Sequence, residues 1–141
     1  MMKIVYPVRF TFLKDEKDTV LIEVPDLDIL SEGYGLSNAI DMARDAIELT
    51  MVTLEDNNMP VPVASDEKEL CKMDGMFSSE GYTMLSLVDA DSTNYRRKEY
   101  NDDIDCYVKL PKWLDFEARS AGINISSVLQ DALISKLGIA Q

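Results

Sequence analysis

The stretch Asp103-Ile104-Asp105-Cys106-Tyr107-Val108-Lys109-Leu110-Pro111 decides how this 141-residue chain is read. Ile104, Cys106, Val108 and Leu110 fall on every second position, the period of a half-buried strand. Pro111 follows at once, suited to the first position of a helix, where its missing N–H would have been unpaired anyway. Gly122 stops that helix after about three turns. A second helix opens near Asn124–Ser126, with Ile125, Val128, Leu129, Ala132, Leu133 and Leu137 at helical spacing. One strand and two short helices cannot bury a core alone, so the unit is expected to pair with a second copy. Two such strands side by side form a two-stranded ribbon, a device that fits the major groove of DNA.

Alternation also sorts the strand by face. With Ile104, Cys106, Val108 and Leu110 inward, Asp105, Tyr107 and Lys109 point outward. Lys109 can donate to guanine, Tyr107 can hydrogen-bond or touch a thymine methyl, and Asp105 can accept from cytosine while repelling phosphate. Lys112, just beyond Pro111, extends the candidate DNA-binding set. The N–H groups near Asn124 and Ser126, at the start of the second helix, make a phosphate site, and either residue also suits an N-cap.

Upstream, Ile4 to Leu13 reads as a first strand, Lys14–Asp18 as a charged turn and Thr19 to Val24 as a second strand. Pro25-Asp26 breaks it, and Ile29 to Tyr34 forms a third. With Ser37 as N-cap, Ala39, Ile40, Ala43, Ala46, Ile47, Met51 and Leu54 then mark an amphipathic helix to about Glu55. Pro60 and Pro62 favour a loop, and residues 66–72 allow one or two helical turns. Tyr82 to Val88, with little polar interruption, reads as a central strand. Asp89 to Asp102 is polar and reads as a linker. The expected organisation is α+β, with a β-β-β-α-β domain over 1–89, a linker over 90–102 and the strand-helix-helix module over 103–141.

Composition narrows the chemistry. Hydrophobic residues make up 46% of the chain, which suits a folding sequence. The chain has no histidine, which removes the commonest general base and excludes Ser-His-Asp and Cys-His arrangements. Cys71 and Cys106 lack metal-ligand spacing and are expected to be buried free thiols in a reducing cytosol. There is no apolar run of membrane-spanning length and no secretory signal, so a cytoplasmic location is expected, without membrane contact. No cofactor or metal is expected.

The net charge of −12 is unevenly spread. Residues 1–100 carry 10 basic and 20 acidic side chains, and residues 101–141 carry 4 and 6. The acidic N-terminal part therefore points to a cationic partner. Glu23, Asp26, Asp28 and Glu32 are the candidate contact residues, although acids at turns are also ordinary surface.

Leu110-Pro111, Trp113-Leu114 and the run Gly122-Ile123-Asn124-Ile125-Ser126-Ser127-Val128-Leu129-Gln130 resemble a ribbon-helix-helix DNA-binding domain. Tyr6-Pro7, Val24-Pro25-Asp26-Leu27, Glu32-Gly33-Tyr34-Gly35 and the spaced alanines Ala39 to Ala46 resemble the HicB family of antitoxins. That resemblance implies a reduced RNase-H-like domain followed by a ribbon-helix-helix module. It also implies a small basic ribonuclease toxin of the HicA type as partner, operator DNA as ligand, and a homodimer or higher oligomer. Nucleases of the RNase-H fold hold two metal ions with carboxylates on adjacent strands and a helix, whereas Ile4 to Leu13 carries no acid. The domain therefore reads as a binding platform without catalytic residues. The alternative reading is a free-standing ribbon-helix-helix regulator whose N-terminal domain senses a small molecule.

Overall fold

A computed structural model describes residues 3–139. They fall into two units, Met1–Asn101 and Asp102–Gln141.

The first unit is built on a four-stranded antiparallel sheet. β1 (Lys3–Phe12), β2 (Thr19–Val24), β3 (Ile29–Tyr34) and β4 (Tyr82–Asp91) lie in the order β3-β2-β1-β4. Asp15 shapes the β1–β2 turn by accepting from the N–H groups of Lys17 and Thr19. This sets the register that places Arg9 opposite Glu23. On one face Tyr6, Val8, Phe10, Val20, Ile22, Val24, Val88 and Ala90 form the core. They pack against the Ala39, Ala43, Ile47 and Met51 stripe of α1 (Leu36–Asp56), where the i, i+4 spacing keeps all four on one side. The small alanines let the helix approach closely. A Cβ on Gly33 would lie 2.7 Å from the Ala39 Cα, so β3 needs glycine there.

The opposite face is covered in its middle by the segment after α2 (Glu67–Leu70). Arg9 is buried there, with Nη1 3.2 Å from Glu23 Oε1 and Nη2 donating to the Leu70 carbonyl at 3.2 Å. Glu23 Oε1 also accepts from the Met76 N–H at 3.1 Å.

Three expectations for this unit change. Helix α1 starts two residues early, with Gly35 at its N-cap and Ser37 within it, while Asn38 Oδ1 accepts from the Tyr34 N–H instead. β4 is an edge strand, not a central one. Its apolar run arises because both its faces meet protein: Val88 and Ala90 lie under α1, and Leu85 faces the segment around Leu70. Third, residues 90–102 are no free linker. They hold the end of β4 and helix α3 (Ser92–Glu99), whose N-cap Asp91 accepts from the Thr93 N–H. α3 docks on α1 through polar groups: Ser92 Oγ donates to Glu55, Arg96 pairs with Glu55 and Asp56, and Lys98 Nζ lies 3.8 Å from Asp45. An apolar stripe therefore never marked it.

In the second unit, α4 (Lys112–Ser120) and α5 (Ile125–Leu137) follow an extended lead-in. Pro111 sits at the N-cap of α4, one position earlier than expected. Gly122 takes φ 72°, and its N–H bonds back to Arg119, closing the helix. Asn124 caps α5 by accepting from the Ser127 N–H at 3.1 Å. Residues 103–110 form no strand within one chain, because a strand needs a hydrogen-bonded neighbour and this unit supplies none. No described residue of this unit is buried. Both cysteines are exposed, contrary to expectation: Cys71 lies in the loop over the sheet, and Cys106 lacks a covering layer in the single chain.

Candidate functional site

In the C-terminal unit, alternation along 104–110 carries into three dimensions. Ile104, Cys106, Val108 and Leu110 all line a hollow of about 450 Å³ against Ile125, Leu129 and Leu133. Val108 and Leu110 also line a second hollow of about 310 Å³, walled by Leu114, Ile123, Val128 and Ala132. Asp105, Tyr107 and Lys109 line neither, and all three are exposed. Lys112 is the first residue of α4 and is exposed, as is Ser126 in the first turn of α5. Asn124 spends its side-chain oxygen on the cap, leaving the helix-start N–H groups as the polar feature there. The unit thus presents an apolar side that its own residues do not fill and a polar side bearing Tyr107 and Lys109.

In the N-terminal unit, the four acidic candidates separate into two pairs. Glu23 is held by Arg9 and Met76 on the covered part of the sheet. Asp26 accepts from both the N–H and the hydroxyl of Ser65, tying the proline loop to the β2–β3 corner. Tyr6 fastens the same loop, donating to the Pro62 carbonyl, and burial followed by the nearby Asp26 charge raises its pKa. Both carboxylates are therefore structural. Asp28 and Glu32 are exposed, and among the described residues neither carboxylate has an ion pair or hydrogen bond. Asp28 sits in the left-handed region at φ 54°, where aspartate is tolerated better than most residues.

Elsewhere the acids near α1 are largely neutralised. Asp89 pairs with Arg44 at 3.0 Å and with Lys3 at 3.7 Å, and hydrogen bonding from Arg44 holds its carboxyl below the usual value. Asp41, Asp45, Glu55 and Asp56 each have a cationic partner. Of the acids left without an ion pair among the described residues, Glu16 and Asp18 lie in the β1–β2 turn and Asp28 and Glu32 beside and on β3, while Glu67, Asp74 and Glu80 lie in the segment before β4. Sequence reasoning missed the apolar companions of Asp28 and Glu32. Leu30, Tyr34 and Met76 are each more than half exposed, and Leu30 and Met76 share a hollow of about 290 Å³ with Asp28. The signal was available in Leu30-Ser31-Glu32-Gly33-Tyr34, whose alternate residues cannot all face α1.

Among the described residues, no group of three or more His, Cys, Asp or Glu side chains could hold a metal ion. No described helix is long and apolar enough to cross a membrane.

No protein-family model matches the chain, and no curated protein matches it. Solved structures do match, two of them as follows. A chain in a toxin–antitoxin complex from Streptococcus pneumoniae is 27% identical, with a TM-score of 0.58, over 96% of this chain and 99% of that one. The antitoxin HicB of Burkholderia pseudomallei is 21% identical, with a TM-score of 0.50, over 98% of this chain and 99% of that one. Both likenesses run through the two units and agree with the resemblance carried by the sequence motifs: the chain has the fold of the HicB family of antitoxins.

Proposed function

We propose that this chain is a HicB-type antitoxin that occludes a small basic ribonuclease toxin of the HicA type and represses its own operon. The observation that carries the reading is the full-length likeness to a chain from a toxin–antitoxin complex. The N-terminal unit is taken as a reduced RNase-H-like platform that acts by covering the toxin's RNA-binding surface. The face around Asp28, Glu32, Leu30 and Tyr34 suits that role, since it joins unpaired negative charge to exposed apolar surface. Charge complementarity speeds encounter with a cationic protein, and apolar contact slows its release.

The C-terminal unit is taken as a ribbon-helix-helix module. A second copy supplies the missing layer: the two 103–110 segments pair as a ribbon, and their inward residues close the hollows against both α5 helices. Burial of apolar side chains such as Val108, Leu110 and Leu129, at roughly 1.5–3 kcal/mol each, drives the pairing. The ribbon then turns Asp105, Tyr107 and Lys109 of both chains toward the groove, while Lys112 and the α5 starts, near Asn124 and Ser126, grip phosphate.

The test is co-expression with the reading frame beside the gene, which the proposal expects to encode a small basic protein. The toxin alone should arrest growth, co-expression should relieve it, and the two proteins should purify together. Unrelieved arrest with no complex, while this chain is folded, refutes the reading.

A further inference from the structure

The outward residues of the 103–110 segment carry two opposite charges that a single chain cannot bring together. Asp105 and Lys109 are exposed, and among the described residues neither has an ion pair or hydrogen bond. Four steps of extended chain hold them roughly 13 Å apart, at about 3.3 Å per residue. A counter-charge for either must come from a second copy. Symmetry limits how two copies meet. In an antiparallel pair related by a two-fold axis, the numbers of facing residues sum to a constant. That sum must be even, so that inward residues face inward ones. An axis through Cys106 sets Leu110 opposite Asp102, and one through Val108 sets Ile104 opposite Lys112, already in α4. Axes further out leave more inward residues unpaired. An axis through Tyr107 sets Ile104 opposite Leu110 and Cys106 opposite Val108, which pairs all four residues that line the hollow. The same register sets Asp105 opposite Lys109, twice per dimer.

Building on the proposed ribbon, we propose that Asp105 of one chain and the partner's Lys109 form a salt-bridged unit that reads a G·C base pair, with Asp105 as a specificity-determining residue. Facing Cβ atoms in such a ladder lie about 4.5–5.5 Å apart, within reach of an ammonium–carboxylate contact. An ammonium has three donors and a carboxylate two acceptor oxygens, so each keeps capacity once the pair has formed. In the major groove guanine shows two adjacent acceptors, N7 and O6, with the cytosine N4 donor beside them. Lysine meets the acceptors, and aspartate meets the donor. In an A·T pair the donor lies between two acceptors with the thymine methyl beyond, so the carboxylate meets an acceptor or a methyl. The unit also leaves the ribbon face without net charge, one acid for each base. Lys109 is thereby held back from phosphates of arbitrary sequence, whose attraction depends on uncompensated cations. Asp105 lowers affinity and supplies discrimination. The two-fold axis places two such units, inverted, on either side of Tyr107.

The test is selection of duplexes from a randomised DNA library by the full chain, purified alone. The wild type should enrich sequences with two G·C pairs inverted about a dyad, each favoured roughly tenfold or more over A·T. Asp105→Ala should narrow that preference severalfold at both positions while binding unselected duplex more tightly. The double variant Asp105→Lys/Lys109→Asp keeps both cross-strand charge pairs and exchanges their ends. It should select the same positions with guanine and cytosine reversed. A Trp113 fluorescence transition in urea unchanged from the wild type shows that a variant keeps the C-terminal unit folded. Should the double variant unfold, Asp105→Ala decides alone. An Asp105→Ala variant as selective as the wild type, or an unreversed preference in the folded double variant, overturns the proposal and leaves the ribbon standing. A wild type that enriches no duplex overturns both.

Discussion

Replacing Glu23 by alanine separates the structural acids from the functional ones. The Glu23 and Arg9 side chains are 15% and 8% exposed, with 3.2 Å between Oε1 and Nη1. The same oxygen accepts the Met76 N–H, so the substitution strips Arg9 of its counter-charge and frees the segment over the sheet. Removing one partner of a buried pair costs about 3–5 kcal/mol, because the other charge is left uncompensated. With a urea m-value near about 1.5 kcal/mol/M, the midpoint falls by roughly 2–3 M. The single tryptophan, Trp113, lies in α4, so its fluorescence reports the C-terminal unit alone. Glu23→Ala should lower the far-UV circular-dichroism transition of the N-terminal unit and leave the Trp113 transition in place. Glu32→Ala, in the exposed set, should stay within about 0.5 kcal/mol of the wild type. A Glu23→Ala midpoint within about 0.3 M of the wild type, at that m-value, refutes the structural assignment of this acid.

Other outcomes follow from the same geometry. Reversing Asp28 and Glu32 to lysine should slow association with the toxin at low salt by roughly tenfold or more, with little change in thermal stability; an unchanged association rate places the toxin elsewhere. Lys109→Ala removes one groove contact from each chain of the dimer, worth about 1–3 kcal/mol apiece, and should abolish the operator gel shift, whereas Asp105→Ala should bind as well as the wild type or more tightly. Asp89 has its pKa depressed below 3.8, mainly by hydrogen bonding to Arg44. Its contribution is therefore fully present above that value and is lost as pH falls through the lower folded-state value. Acid titration of Asp89→Asn should show a shallower loss of stability in that window than the wild type, and identical slopes would contradict the assignment.

What the sequence disclosed and withheld follows from the range of the interactions involved. The 104–110 alternation was legible because a period of two needs no distant partner to be recognised, and the same four residues line the hollows against α5. The α1 stripe was legible for the same reason. By contrast, Glu23 and Glu32 look alike as residues. Glu23 becomes structural because the β1–β2 register sets it opposite Arg9 and because Met76, 53 residues away, returns to it. Asp26 is committed by Ser65, 39 residues away. Helix α3 escaped notice because it docks through ion pairs, which leave no periodic apolar signature. The placement of β4 escaped notice because an apolar run records covered faces and says nothing of covered edges. The consequence is a division of the acidic charge that composition alone could not reveal. Cations held by the fold neutralise much of the charge near α1, whereas Asp28 and Glu32, beside and on β3, have no ion pair among the described residues. A binding scan that weighted all acids equally would find most of them silent, and silence at Glu55 or Asp89 would not count against electrostatic recognition at Asp28 and Glu32.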